Sequence, residues 1–328
     1  MSLGVRLRDG IEVELDNGET VLFDGSGTAE TTVLSHAHGD HLPEMADDIV
    51  ASRLTADLAA TRMDDANPTV TSSPQVTLHD AGHIAGSRAA ELTDPETGRT
   101  YCYTGDCSTR DRFYLRGFDP VDADVLIIES TYGKPEYRFP PTDGVVREIR
   151  DWLDDTMEEV VLLFSYALGR AQKLQRILAG TARNRAFVTD AIADLNAVIA
   201  SHLDVSFPAR RYGSDIDLEP GDALVLPMQT SRLSWIEALI ETNDAVTAGF
   251  SGWALDDSFV YRRGLDEGFV LSDHCDFDEL VEVVRTVDPE RVYTHHGFAD
   301  AFATHLTTEY GYDTRALKKN QSTLGDYR

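Results

Sequence analysis

Ile11-Glu12-Val13-Glu14-Leu15 alternates apolar with acidic positions, the period of a strand that buries one face. Asp16-Asn17-Gly18 is a hairpin turn signal, and Thr20-Val21-Leu22-Phe23 is the return strand. Thr31-Thr32-Val33-Leu34, β-branched and apolar, predicts another strand. A helix is expected from Ala56 to Met63, and a strand from Val76 to His79. Ala89 to Leu92 and Thr100 to Thr104 read as a strand and its return around the turn Asp94-Pro95-Glu96-Thr97-Gly98. Val125 to Ile128 is wholly apolar and predicts a buried strand.

The pattern changes near Arg138. Helical periodicity runs from Asp143 to Met157, and strands and helices then alternate. Strands are predicted at Val160–Ser165, Ala186–Thr189, Ala223–Leu226 and Ala245–Ala248, with helices at Gly169–Ala179, Ala191–His202 and near Ser234–Ile240. Such alternation indicates a parallel or mixed α/β domain. Gly268 to His274 is expected as a strand delivering a histidine, followed by a helix from Phe277 to Val287. Arg291 to Gly297 is a second histidine-bearing strand, and a last helix should span Ala299 to Tyr310. These changes divide the chain into 1–137, an insertion at 138–250, and 251–328.

Length and composition suit this picture: 328 residues with 42% hydrophobic content can build proper cores. Apolar runs such as Val160-Val161-Leu162-Leu163-Phe164 are far too short for a membrane span, and charge at Arg6, Arg8 and Asp9 leaves no secretory core. A soluble cytoplasmic protein with no membrane partner is expected. The net charge is −28 and the pI about 4.5. Only Lys134, Lys173, Lys318 and Lys319 are lysines, so 29 − 4 = 25 basic residues are arginines. An acidic surface poor in lysine is expected of a protein from a high-salt environment. There, long-range repulsion of a polyanion is screened within about 3 Å. Cys102, Cys107 and Cys275 form neither a disulfide framework nor a zinc knuckle.

The chemistry concentrates in Ser35-His36-Ala37-His38-Gly39-Asp40-His41-Leu42, directly after a predicted strand. Three imidazoles and a carboxylate within six residues suit zinc and similar divalent ions. Asp24, in Asp24-Gly25-Ser26-Gly27, is placed to brace that loop by hydrogen bonding. His83 sits among small residues, Gly82-His83-Ile84-Ala85-Gly86-Ser87, which suits a ligand that backbone must approach closely. Asp106 follows Gly105 at a strand end, where a carboxylate can bridge two metals.

These residues resemble the metallo-β-lactamase superfamily, and specifically its β-CASP branch of nucleic-acid-processing enzymes. The His-x-His-x-Asp-His pattern is His36, His38, Asp40 and His41, the isolated histidine is His83 and the bridging aspartate is Asp106. The branch is marked by Glu129-Ser130-Thr131-Tyr132-Gly133, Ala167-Leu168-Gly169-Arg170-Ala171-Gln172, Ser272-Asp273-His274 and His296-Gly297. The stretch from Ser251 to His274 is also similar to exonucleases described as mRNA 3′-end-processing-factor-like or DNA-ligase-associated. Phe298 departs from the acidic residue of many relatives, and His295 beside His296 leaves two candidates for one ligand, with Gly297 favouring His296.

The resemblance implies an αββα sandwich with an inserted α/β β-CASP domain. It implies two divalent metal ions, zinc favoured and manganese allowed. His36, His38 and His83 would hold one ion, Asp40, His41 and His296 the other, with Asp106 shared. It implies a nuclease cutting single-stranded RNA with a two-metal-bound hydroxide, in a cleft between the two domains, in RNA processing or decay. His274 is the expected general acid, held by Glu129, with Asp40 and Asp106 in the catalytic set. Arg170 is expected to bind phosphate, Ser165 to bind substrate, and Tyr132 or Tyr166 to stack on bases. The alternatives are an exonuclease on single-stranded DNA in repair, and a small-molecule ester or thioester hydrolase. A homodimer stays open.

Overall fold

The computed structural model describes residues 4–42, 48–63, 68–183 and 185–319. The chain forms two compact units: Met1–Arg138 with His274–Arg328, and Phe139–Asp273.

The first unit opens with β1 (Gly4–Leu7), β2 (Ile11–Glu14), β3 (Thr20–Phe23) and β4 (Thr31–Val33). The predicted hairpin forms, with Val13 opposite Val21, and β4 then runs parallel to β3. β5 (Asp48–Ile49), α1 (Arg53–Arg62) and β6 (Thr69–Val70) follow. Next come β7 (Val76–Asp80), β8 (Arg88–Thr93), β9 (Thr100–Tyr103) and β10 (Val125–Glu129).

The second unit holds α2 (Thr142–Asp155), β11 (Val161–Ser165), α3 (Arg170–Leu178), β12 (Arg185–Val188), α4 (Asp190–His202) and β13 (Arg210–Arg211). It continues with β14 (Asp222–Pro227), α5 (Ser234–Asn243), β15 (Val246–Phe250), α6 (Ser258–Arg263) and β16 (Glu267–Phe269). The chain then returns to the first unit with α7 (Phe277–Val287), β17 (Arg291–His295), α8 (Ala299–His305) and β18 (Thr314–Ala316). Among the described residues no helix is long and apolar enough to cross a membrane.

In the first unit a sheet in the order β1-β2-β3-β4 packs against one in the order β18-β17-β10-β9-β8-β7. Side-chain alternation decides which core each residue joins. Tyr101, Tyr103, Val125 and Ile127 enter the core shared with Val13, Val21 and Phe23 of the first sheet. Cys102, Leu126 and Ile128 point the other way, onto Leu280 and Val284 of α7 and Phe302 of α8. At about 25 cal/mol per Å² of buried apolar area, these layers supply most of the favourable folding energy. The result is mixed α/β, as expected of a metallo-β-lactamase sandwich.

The second unit is one parallel sheet in the order β13-β12-β14-β11-β15-β16. Val161 and Leu163 face one core with Leu174 and Ile177 of α3, while Leu162 and Phe164 face the other with Ile236 of α5. Near-continuous hydrophobic strands are what a sheet covered on both faces requires.

Three expectations need correction. The insertion extends to Asp273 rather than ending at 250, because β16 pairs with β15 and stays in the second unit's sheet. Gly268 to His274 is therefore not one strand: β16 ends at Phe269, and His274 arrives on the irregular segment that follows. The last helix is α-helical only to His305 and continues as a π-type turn over Leu306–Tyr310.

Candidate metal centre

The site residues follow the C-terminal ends of strands, where backbone hydrogen bonding stops and side chains can converge. β4 delivers His36, His38, Asp40 and His41; β7 delivers His83; β9 delivers Asp106; β10 ends on Glu129; and β17 delivers His296. Glu129 lies opposite His295 in the parallel ladder, so β10 and β17 end level. Gly105 has φ +54°, and a Cβ there would stand 2.7 Å from the Ser35 side chain. Only glycine lets the exit of β9 come this close to the histidine loop. Asp24 and His296 are non-glycine residues with φ of 48° and 58°. Such backbone costs about 1–3 kcal/mol and tends to be retained at functional sites.

Four ligating groups meet at the centre: His36, His38, His83 and Asp106. His36 Nε2 lies 3.2 Å from His38 Nδ1, and His83 Nε2 lies 3.1 Å from the same atom. Ligands at about 2.0–2.1 Å in a tetrahedron stand about 3.3 Å apart. Asp106 Oδ2 is 3.5 Å from His36 Nε2, 3.7 Å from His83 Nε2 and 3.6 Å from His41 Nε2. One carboxylate oxygen thus faces both histidine sets. Asp40, His41 and His296 form the neighbouring group, with Asp40 Oδ2 3.9 Å from His41 Nε2. His41 Nε2 and Asp106 Oδ1 are buried without a hydrogen-bond partner. Buried polar atoms are rarely orphaned, so convergent orphans among imidazoles and a carboxylate fit a divalent ion.

The surrounding hydrogen bonds turn the rings. Asp24 accepts from the Ser35 amide at 2.7 Å, from the Ser35 hydroxyl and from the Tyr103 hydroxyl at 2.8 Å. It also accepts from His41 Nδ1 at 2.8 Å, which aims the Nε2 lone pair inward. His36 Nδ1 meets Ser35 Oγ at 2.9 Å, with the same consequence for its Nε2. Such outer partners select the tautomer that a metal needs. Asp24 thus ties the loop to the end of β3 and to Tyr103 of β9. Ser35 and Tyr103 were not singled out in the sequence: Tyr103 reads only as an inward aromatic of an ordinary strand.

Electrostatics agree. Burial, and then the neighbouring histidines, hold His36 well below the usual imidazole range. Burial opposes charge on His41 too, but Asp106, Asp24 and Asp40 outweigh it and push its pKa up to about 10. Burial raises Asp106, with the attraction of His41 only partly offsetting it. The pocket thus favours positive charge at His41. A cavity of about 610 Å³ reaches Asp40, His41, Tyr103 and His296, with Arg8 and Lys319 on its wall.

His274 stands beside this cluster. Its Nδ1 is 2.9 Å from Glu129 Oε1 and 4.0 Å from Asp106 Oδ2, and its ring centre is 4.5 Å from that of His83. Burial alone would raise Glu129, but His274, the Thr131 side chain and the Cys107 amide hold it below the usual carboxylate range. The segment is pinned on its far side: the Cys275 amide donates to the Cys107 carbonyl at 2.7 Å, and Asp276 caps α7 in a capping box with Glu279. The thiols of Cys107 and Cys275 are free, 3.8 Å apart and buried, as packing residues.

Other expected residues are placed differently. Tyr132 is 1% exposed, packed on Tyr137 and edge-on to His274, so it has no face for a base. Ser165 and Arg170 belong to the second unit. Ser165 is fully buried, its hydroxyl donating to the Tyr166 carbonyl at 3.3 Å. Arg170 is not a surface phosphate grip: its Nε donates to Asp273 at 2.7 Å and its Nη1 to the Phe250 carbonyl at 3.0 Å. Tyr166, 47% exposed with the Arg170 guanidinium 4.2 Å from its ring centre, offers the open aromatic face. His295 is buried, with its ring 5.5 Å from that of Tyr103; His296 is the residue grouped with Asp40 and His41.

A family profile described as a Zn-dependent metallo-hydrolase RNA specificity domain matches residues 267–317. A "Probable DNA ligase" of Opitutus terrae is 33% identical over 305 residues, 89% of this chain and 29% of that protein. A "Probable RNase MJ4" of Methanocaldococcus jannaschii is 25% identical over 287 residues, 72% of this chain and 65% of that protein. Subunit 3 of a cleavage and polyadenylation specificity factor, from Dictyostelium discoideum, is 38% identical over 112 residues, 32% of this chain and 13% of that protein. The chain spans less than two thirds of each of these relatives. With the histidine–aspartate cluster in place and these similarities beside it, the chain belongs to the β-CASP branch of the metallo-β-lactamase superfamily.

Proposed function

We propose that the chain is a metal-dependent nuclease that hydrolyses phosphodiester bonds of single-stranded RNA. The observation that carries the reading is the His274–Glu129 pair standing against the metal cluster at Asp106. A zinc hydrolase acting on an activated ester has little need of a second, buried imidazole–carboxylate pair. A phosphodiester does, because its departing alkoxide must be protonated. The match to an RNA specificity domain and the RNA-processing names among the relatives support RNA as substrate.

The centre is read as holding two divalent ions, zinc favoured because imidazoles dominate the donors. His36, His38 and His83 hold one and Asp40, His41 and His296 the other, with Asp106 between them. When bound, such ions acidify water and offset charge on phosphoryl oxygens. Asp24 keeps His41 in the ligating tautomer, and Ser35 does so for His36. Glu129 holds His274 through Nδ1, so Nε2 is the atom assigned to proton donation to the leaving oxygen. The carboxylate also stabilises the imidazolium before transfer. Such a step contributes about 10²–10⁴-fold.

A second reading is single-stranded DNA, cut at ends that are later joined. It is favoured by the ligase of Opitutus terrae, which matches 89% of this chain where the polyadenylation factor matches 32%. The test is incubation of the metal-loaded protein with 5′- and 3′-labelled single-stranded RNA and DNA. A ladder from RNA, abolished by chelation, is expected. A ladder from DNA alone selects the second reading. Turnover of a chromogenic thioester with no cleavage of either polymer would falsify both.

A further inference from the structure

The second unit contains a cavity that the chemistry above does not use. Its volume is about 530 Å³, and its walls include Met228, Arg232, Trp253, Phe259, Arg262 and Arg263. Met228 follows β14 and Trp253 lies in the turn after β15, so the cavity opens at the C-terminal ends of parallel strands. Open α/β sheets bind their ligands at that edge, where the strands stop and the connections diverge. β11 lies between β14 and β15, and Tyr166 follows its last residue, so Tyr166 stands on the same edge.

The lining has two chemistries. Met228 and Phe259 are buried and form an apolar floor, with the half-buried Trp253 as an aromatic wall. Arg232, Arg262 and Arg263 are exposed at the rim of a chain whose net charge is −28. Arg262 pairs with Asp256 at 2.9 Å, and Arg232 donates to the Arg262 carbonyl at 2.8 Å, which ties the two sides of the rim. Among the described residues neither Arg232 nor Arg263 makes an ion pair. Several other surface arginines are paired, as Arg211 is by Asp190 and Asp194 and Arg291 is by Asp313. Here positive charge is left over an aromatic pocket. Tyr261, 88% exposed, adds a further aromatic on the helix that carries Arg262 and Arg263.

We propose that this cavity is a nucleotide subsite for the single-stranded substrate: a base packs on Trp253, and the adjoining phosphates meet Arg232 and Arg263. The inference rests on the nuclease reading and extends it to the second unit. Guanidinium groups suit phosphate because their planar donor fork matches two oxygens. Aromatic walls accept any base, which suits recognition without sequence preference. The volume is that of pockets which enclose a small ligand, about 300–1,000 Å³. Stacking and direct guanidinium contacts also persist at high salt, where counterion release contributes little.

The test compares wild type with R232Q/R263Q and with W253F in the full chain. Thermal midpoints and circular dichroism control for folding. Binding is read by anisotropy of a fluorescent 20-nucleotide oligonucleotide under chelation, and cleavage by KM and kcat on the metal-loaded protein. R232Q/R263Q should weaken binding and raise KM about tenfold with little change in kcat, the scale of losing phosphate contacts. W253F, which keeps an aromatic wall, should lose less than R232Q/R263Q. A wild type that cuts oligonucleotides while folded R232Q/R263Q does so at unchanged KM overturns the subsite and leaves the nuclease reading standing. AMP is titrated in parallel by calorimetry: a wild type that binds AMP, with a folded R232Q/R263Q that loses AMP binding but keeps oligonucleotide KM, overturns the subsite in favour of a free-nucleotide site. A wild type that neither binds nor cuts oligonucleotides overturns both readings together.

Discussion

Each unit of this protein buries a cluster of charge, and the two clusters are finished in opposite ways. In the second unit Asp273, fully buried, receives Arg170 Nε at 2.7 Å and the buried Lys173 ammonium. Burial works against its ionisation, but the two cations hold its carboxyl well below the usual range. The cluster is closed: the chain supplies both signs. In the first unit His41 Nε2 and Asp106 Oδ1 are buried with no hydrogen-bond partner, and the carboxylates around His41 favour positive charge on it. That cluster is open: donors converge on one another, and the cations Arg8 and Lys319 stand only on the wall of the cavity that reaches it. A structural charge cluster brings its own counterions, whereas a metal centre leaves that position to an ion.

The comparison is broken most sharply at Asp106. Asp106→Ala should lose bound zinc and turnover together, with activity down at least about 10⁴-fold, while the second unit's unfolding is unmoved. Elemental analysis beside a cleavage assay reads both. Full metal content in that variant would remove Asp106 from the ligand set.

His274→Ala should keep its metals and lose about 10²–10⁴-fold in kcat. Glu129→Gln should resemble it, and the double variant should fall little further, because residues acting as a unit are not additive. A nitrophenyl phosphodiester needs less protonation of its leaving group, so it should recover much of the His274→Ala loss and none of the Asp106→Ala loss. An equal deficit on both substrates would return His274 to a structural role.

Asp273→Ala should do the reverse of Asp106→Ala. It strands two buried cations and should destabilise the second unit by about 3–5 kcal/mol, with zinc content unchanged. Replacing Arg170, Lys173 and Asp273 together by apolar residues of similar volume should cost much less. Acid sharpens the point. Asp273 has a folded pKa below its unfolded value of about 3.9, so its contribution is present above that pH and is lost as pH falls through the folded value. The stability gap between wild type and Asp273→Asn should stay level from pH 7 to about 4 and close below. A gap that shrinks already between pH 7 and 5 would show that another group controls it.

Salt should have the smallest effect on either cluster and act on the surface instead. Crowded surface carboxylates repel until screened, so the thermal midpoint should rise from low to molar KCl. A midpoint indifferent to KCl would remove the high-salt reading and leave both clusters as described.

The two clusters also differed in how far they were legible. His36, His38, Asp40 and His41 crowd into six residues, and no packing requirement puts three imidazoles after one strand. The Asp273 cluster is spread over about a hundred residues, and Arg170 at a helix start looks like a phosphate grip until burial shows it engaged. Tyr132 failed for the same reason: a motif places a residue along the chain, not its ring faces. β16 was overextended into His274 because an apolar run does not mark where pairing stops.

The sequence by itself determined most of the longer strands, the histidine-bearing strand ends, a donor set suited to a divalent metal and the alternation of strands and helices in the insertion. All of these rest on local period and residue type, which short-range sterics and donor chemistry decide. Only the tertiary structure decided that Asp106 Oδ2 faces both histidine sets, that Asp24 collects Ser35, His41 and Tyr103, and that His274 meets Glu129. Those relations join residues up to 145 positions apart. They depend on which strands lie side by side and on where each ends, and long-range packing sets both.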